Sequence, residues 1–306
     1  MTQSGMVDEL TLDLPRPYSL RQTFGLWRLS RSDPCVQFPD GQSLRLSLRC
    51  PEGTIQVVAV QRGVEGPLSV QLFGEGAGWI QERLPALFGL HDNPHEFQPE
   101  GKVRDLVRRH AGAHLPIAPV LSARLLQLVL QQLVSWDDAA SSWNRLVRTY
   151  GESAPGPGGM GVPPSADRFR TLGYYDLVNC GILPRQARLI LRVAREFSRI
   201  DRIADAPERL AGYLQKIPGI GPWTTQYLLG SSLGDADAVL TGDYALPHAV
   251  SWFLKEQPRS SDEEMLRLLE PFRGHRFRVQ QLILQNGPLA PRRGPRIKDH
   301  WKQQSH

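Results

Sequence analysis

The chain has 306 residues, 22% of them charged and 41% hydrophobic, a mix expected of a soluble globular protein long enough for two domains. Lys and Arg total 36 against 31 Asp and Glu, a formal charge of +5; this mild excess, mostly arginine, fits a polyanionic partner without establishing one. No run approaches the about 18 consecutive apolar residues of a membrane helix, residues 1–20 lack the basic start and apolar core of a signal peptide, and Cys35, Cys50 and Cys180 are too few for a disulfide framework or a cysteine-ligated iron–sulfur cluster. A cytoplasmic protein is expected.

Residues 1–15 read as a polar leader. Over 16–112 the pattern is that of an α+β domain with an antiparallel sheet. Leu44, Leu46, Leu48 and Cys50 alternate with Arg45, Ser47 and Arg49, the period of a half-buried strand. Pro51-Glu52-Gly53 makes a turn, Ile55, Val57 and Ala59 begin a second strand, and Leu68, Val70 and Leu72 a third. Trp79–Leu90 reads as a helix that contains Pro85. From 113 to 290 the period becomes helical: Leu121/Leu125/Leu128, Trp143/Leu146/Val147/Tyr150, Ile190/Val193/Ala194/Phe197, Leu210/Tyr213/Leu214/Ile217, Leu246/Ala249/Val250/Phe253 and Met265/Leu268/Leu269/Phe272 each form one apolar stripe, and all serve a core. Residues 153–165 (SAPGPGGMGVPPS) read as a linker. Residues 291–306 form a basic tail with Arg292, Arg293, Arg296, Lys298 and Lys302, read as a solvated terminus.

The segment richest in chemistry is LQKIPGIGPWTTQYLLGSSLGDADAVLTGDYALPH, residues 214–248. A helix ends near Lys216, Pro218-Gly219-Ile220-Gly221 turns, and a second helix starts near Pro222, where proline is tolerated. Glycines allow a tight turn and leave amide N–H groups bare at a helix start, where an anion such as a DNA phosphate is favoured. Gly-x-Gly alone also fits an ordinary corner, but apolar-Pro-Gly-apolar-Gly between two helices is the helix–hairpin–helix signature of sequence-nonspecific DNA binding. Asp243 follows Gly221 by 22 residues and directly precedes a helix. It is a good N-cap, and its spacing behind the hairpin also makes it a candidate catalytic carboxylate. Asp235 and Asp237 read as solvated loop residues.

With that hairpin, that aspartate and LVLQQLVSWDDAASSWNRLVRTYGE (128–152), the chain resembles the helix–hairpin–helix DNA glycosylases, and among them the bacterial 3-methyladenine DNA glycosylase II (AlkA) family, over most of its length. The resemblance implies an N-terminal accessory α+β domain followed by a helical glycosylase domain. It implies that Asp243 stabilises an oxocarbenium-like sugar in base excision repair of alkylated purines of the 3-methyladenine and 7-methylguanine class. Members that also cut the strand carry a lysine two residues after the last hairpin glycine; Trp223 stands there, so base removal without lyase activity is expected. Gln132 and Leu133 match the loop that wedges into the gap left by a flipped base, although Leu133 also fits a core position. Trp223 and Tyr227 match pocket aromatics, and Leu26 or Trp27 matches an N-terminal one. Where the family has a late-helix tryptophan this chain has Gln281. Pro218, Gly219, Ile220, Gly221 and Thr224 would meet the DNA backbone. The Gln215, Ile217 and Ile220 carbonyls would hold a structural Na⁺ or K⁺ ion, with no cofactor required. The expected partner is damaged double-stranded DNA in the nucleoid, met by a monomer and not by a membrane protein. The alternatives are a glycosylase for another damaged purine, or a noncatalytic damage sensor.

Overall fold

The computed structural model of the chain describes residues 6–63 and 66–288; the basic tail of 291–306 lies outside the described residues. Five antiparallel strands, β1 (Met6–Leu12), β2 (Val36–Gln37), β3 (Ser43–Cys50), β4 (Gly53–Gln61) and β5 (Leu68–Phe73), form a sheet in the order β1-β5-β4-β3-β2. The alternation in β3 works as expected: Leu44, Leu46, Leu48 and Cys50 point into the core while Arg45 and Arg49 do not. The leader is not simply a leader. Met6–Leu12 pairs with β5 as an edge strand, in which Leu10 and Leu12 pack partly against the core. The segment read as one helix over Trp79–Leu90 is split into Ala77–Gln81 and Leu84–Leu87, because Pro85 falls in the first turn of the second piece.

Nine described helices have eight or more residues. They are α1 (Gly101–Arg109), α2 (Ser122–Leu130), α3 (Trp136–Tyr150), α4 (Pro184–Ala194), α5 (Pro207–Leu214), α6 (Pro222–Leu233), α7 (Leu246–Lys255), α8 (Asp262–Leu269) and α9 (Arg276–Asn286). None is long and apolar enough to cross a membrane. Each apolar stripe read from the sequence is buried on its helix, and sheet and helices share one continuous core. At Gly230 on α6 a Cβ would come within 2.4 Å of the Phe277 ring, so only glycine lets α9 lie this close to α6.

Three features join the sheet to the helices. The Gly/Pro-rich stretch is a strap: β6 (Glu152–Ser153) pairs with β7 (Gly161–Val162), and its tip docks on the sheet. There the fully buried Gln56 donates to Pro157 O (2.7 Å) and accepts from Gly156 N (3.0 Å). Trp143 on α3 donates through its indole to the buried carboxylate of Asp33, which also takes the amides of Leu29, Cys35 and Val36. Arg278 on α9 pairs with Asp92 at 2.6 Å with both side chains under 10% exposed, and the other Asp92 oxygen accepts from Leu115 N.

The Asp92–Arg278 pair yields a stability prediction. Asp92→Ala leaves a buried guanidinium without its carboxylate and is expected to cost about 3–5 kcal/mol, measured by urea unfolding. A loss under about 1 kcal/mol, the value of an exposed pair, would show that the pair does not hold α9 to the sheet domain.

Candidate DNA-lesion site

The hairpin forms where α5 meets α6. Ile217 and Ile220 are 7% and 4% exposed and pin it to the core, and Ile220 N donates to Ile217 O (2.9 Å). Gly219 has φ +104°, and a Cβ there would press on Leu189 of α4 at 3.1 Å; both facts require glycine. Gly221 is the N-cap of α6, with open space around its Cα and Pro222 behind it in the first turn. The bare amides at this helix start therefore face solvent at the positive end of the helix dipole. Sequence reading missed the arginines beside it: Arg185, Arg188 and Arg192 are exposed on α4, and Arg192 donates to Pro218 O at 2.6 Å. Their helical spacing was the available signal.

Asp243 sits 20 residues after Trp223 in the chain but touches it in space. The Trp223 indole N–H donates to Asp243 Oδ2 at 2.8 Å. Asp243 Oδ1 accepts from Ala245 N (2.8 Å) and Leu246 N (2.9 Å) at the start of α7. Asp243 is thus an N-cap whose second oxygen is aimed by an aromatic side chain on α6, so the two readings of this residue coexist. The approach to it is held at three points not read from sequence. Leu240 N donates to Gln280 Oε1 (3.3 Å), Gly242 N donates to Asp262 Oδ2 (2.7 Å), and Arg276 Nε donates to Asp237 Oδ1 (2.8 Å). Asp237 is therefore not a solvated loop residue. Burial works against its charge, yet the Arg276 guanidinium and the Arg276 and Gly274 amides hold its carboxyl below the usual range.

The aromatic line runs along α6. Trp223 and Tyr227, one turn apart, meet edge to face with centroids 5.3 Å apart. Tyr227 is 6% exposed, packs next to Phe277, and burial pushes its hydroxyl up to about 12, so it stays protonated. Trp27 departs from expectation. It is 3% exposed, its indole N–H is spent on Ser231 O (2.7 Å), and its ring lies edge-on to Phe24 and under the buried Arg124 guanidinium (5.4 Å). Trp27 is core that joins the two halves of the molecule; of the two residues considered there, Leu26 is the one that lines a cavity. Gln281 is buried on α9.

Gln132 and Leu133 follow α2. Leu133 is 81% exposed and has φ +58°, a left-handed conformation that costs a leucine on the order of 1–3 kcal/mol. This excludes the core reading. Gln132 holds the loop against the hairpin: its Nε2 donates to Gly219 O (3.1 Å) and Thr224 Oγ1 (2.9 Å), while its carbonyl accepts from Gln186 of α4 (2.8 Å). Thr224 is only 2% exposed, so it braces the loop and is not itself a surface contact. The exposed apolar wedge, the hairpin and the carboxylate all belong to elements around the N-terminus of α6.

No protein-family model matches the chain. A Bacillus subtilis protein named for DNA-3-methyladenine glycosylase activity is 23% identical over 75% of this chain and 82% of its own length. A Mycobacterium tuberculosis protein named AlkA, for transcriptional activation and DNA repair, is 24% identical over 80% of this chain; the chain spans about half (51%) of that protein. Among solved structures, a 3-methyladenine DNA-glycosylase from Archaeoglobus fulgidus superposes with TM-score 0.74 at 22% identity over 91% of this chain and 98% of its own. The chain has the helix–hairpin–helix glycosylase fold in its AlkA-like form. The same fold serves a DNA-bound 8-oxoguanine glycosylase/lyase from Clostridium acetobutylicum (TM-score 0.69, 14% identity, 92% of this chain and 97% of its own), so the fold alone does not decide between hydrolysis and strand cleavage.

The capping geometry makes Asp243 testable apart from any activity. Asp243→Ala should cost about 1 kcal/mol of stability through the lost cap, and Asp243→Asn, which keeps an oxygen acceptor, less. Thermal melts of the two variants beside the wild type check this; equal and larger losses would mean the side chain supports packing instead.

Proposed function

We propose that this chain is a monofunctional DNA glycosylase that flips alkylated purines of the 3-methyladenine and 7-methylguanine class out of double-stranded DNA and hydrolyses their N-glycosidic bond. One observation carries the reading: a carboxylate fixed by an indole N–H and two helix-start amides stands beside a bare hairpin, with a strained, exposed leucine on the adjoining loop.

DNA phosphates would meet the amides of Gly219–Gly221 and the α4 arginines, a contact that releases counterions and weakens steeply with salt. Leu133 then fills the gap left by the extruded nucleotide, and its cost of exposure in the free protein is recovered by stacking. The cationic ring of an alkylated purine is attracted to the Trp223 face. As the C1′–N bond breaks, its electron pair leaves with the base and cancels the base's charge. Positive charge grows on the sugar, where ionised Asp243 stabilises it. A water oxygen bonds to C1′, and its proton passes to Asp243 or to solvent. An already cationic leaving group needs no general acid, and Trp223 offers no amine for a Schiff base, so an intact abasic strand is the product.

The carbonyls of Gln215, Ile217 and Ile220 fit a Na⁺ or K⁺ ion. Those of Gln215 and Ile220 receive no hydrogen bond among the described residues, and that of Ile217 has a free lone pair beside its bond from Ile220 N. When bound, the ion adds positive charge where a phosphate oxygen arrives. Replacing alkali cations with tetramethylammonium at equal ionic strength is expected to weaken DNA binding several-fold in an anisotropy titration; unchanged binding would remove the ion.

The central test is base release from methylated duplex DNA, followed by chromatography. Wild type should free 3-methyladenine and 7-methylguanine and leave strands that break only after alkali. Asp243→Asn should retain DNA binding and lose release by about 10²-fold or more. Leu133→Ala should keep its stability and lose release on the order of tenfold, the share of unstacking that the wedge offsets. Release by Asp243→Asn at the wild-type rate would overturn the mechanism.

A further inference from the structure

A cavity of about 300 Å³ lies between the sheet domain and α9, walled by Leu26, Phe97, His114, Ser231, Gln281 and Gln285 among others. Neither Asp243, Trp223 nor Tyr227 lines it, and it has no assigned role. Two helices lead from the aromatic pair to it. On α6, Trp223, Tyr227 and Ser231 succeed one another at four-residue intervals, about 6 Å of rise each. On α9, Phe277 packs next to Tyr227 and Gln281 follows one turn later. A base resting on Trp223 and Tyr227 therefore ends about one turn short of the cavity.

The walls are polar in a specific way. Gln281 is 94% buried (6% exposed), yet neither its Nε2 nor its Oε1 has a partner. An amide buried without partners costs on the order of 1–3 kcal/mol per group, so the fold bears a penalty that a ligand with both donor and acceptor would remove. The lining contains no Asp or Glu, and the lining residue Arg278 is paired to Asp92. His114 is kept uncharged by burial, which lowers its pKa. A cationic group is not favoured here; an uncharged hydroxyl or carbonyl is. The rest of the wall, Leu26, Phe97, Val107 and Leu282, suits a short carbon chain.

We propose that this cavity is a subsite for the substituent of bulky alkylpurines, and that Gln281 hydrogen-bonds the polar end of an arm longer than methyl, such as hydroxyalkyl or oxoalkyl, while the cationic ring stays on Trp223. This rests on the glycosylase reading and names the substrate class that reading leaves open. The residue that departs most from the family pattern then has a positive role: an amide takes the place of a tryptophan, opening room and supplying donor and acceptor together.

The test compares duplex DNA treated with glycidol, which places a 2,3-dihydroxypropyl arm on guanine N7, with methylated DNA under single-turnover conditions. Wild type is expected to release the dihydroxypropyl base within threefold of the rate for 7-methylguanine, or faster. Gln281→Trp, which fills the cavity, should slow the large base at least tenfold and 7-methylguanine less than threefold. Gln281→Leu keeps the room without the amide and should slow the large base several-fold with 7-methylguanine unchanged; it also guards against a misfolded tryptophan variant. A wild type that releases the large base more than tenfold slower than 7-methylguanine overturns the subsite, as does a leucine variant that slows both bases equally. Release of neither base by wild type overturns the glycosylase reading itself, a different result.

Discussion

Three hydrogen bonds to one carboxylate organise this molecule's functional end. Asp243 is held by α6 through the Trp223 indole and by α7 through two backbone amides, so two helices that meet at the hairpin side of the protein must keep their mutual position for the carboxylate to keep its aim. The segment leading to it is correspondingly over-determined: Arg276 grips Asp237, Gln280 grips Leu240, and Asp262 grips Gly242. A loop bound at this many points loses little further entropy when it meets the transition state, which is the condition under which fixed charges act best.

The second constraint couples wedge to hairpin. Gln132 bonds simultaneously to Gly219 and Thr224, and Gln186 holds the Gln132 carbonyl from α4. Leu133 is thereby kept in a backbone conformation and a degree of exposure that it would otherwise relieve. The strain and the exposed apolar surface are local, and both lie where an unstacked duplex would cover them. Phosphate contact and base displacement are thus mechanically one unit, hinged on a single glutamine amide.

The sheet domain does more than accompany the helices. Its Asp33 caps a loop against Trp143, its Gln56 receives the Gly/Pro strap, and its Asp92 anchors α9. Trp27, fixed between Arg124 and Ser231, extends this joint to the back of α6. The cavity with Gln281 in its wall exists because these two halves meet over a polar residue.

Much of this was legible in the chain itself. Period-two alternation gave β3, and period-3.6 stripes gave the helices, because burial imposes those periods wherever one face meets a core. The glycines of the hairpin and its distance to Asp243 were equally plain, since tight turns and helix starts demand particular residue types locally. What stayed hidden depends on partners far apart in sequence. A short leader became an edge strand only because β5 offered an unpaired edge. Asp237 was solvated until Arg276, 39 positions on, reached it. Trp27 looked like pocket and was core, since its neighbours Arg124 and Ser231 lie about 100 and 200 residues away. The sequence by itself determined the elements, the hairpin and the identity of the carboxylate, all fixed by local periodicity and turn chemistry; which polar groups are satisfied, which aromatics face the site and where empty volume remains were decided only by tertiary packing, because hydrogen-bond partners and cavities are properties of distant segments brought together.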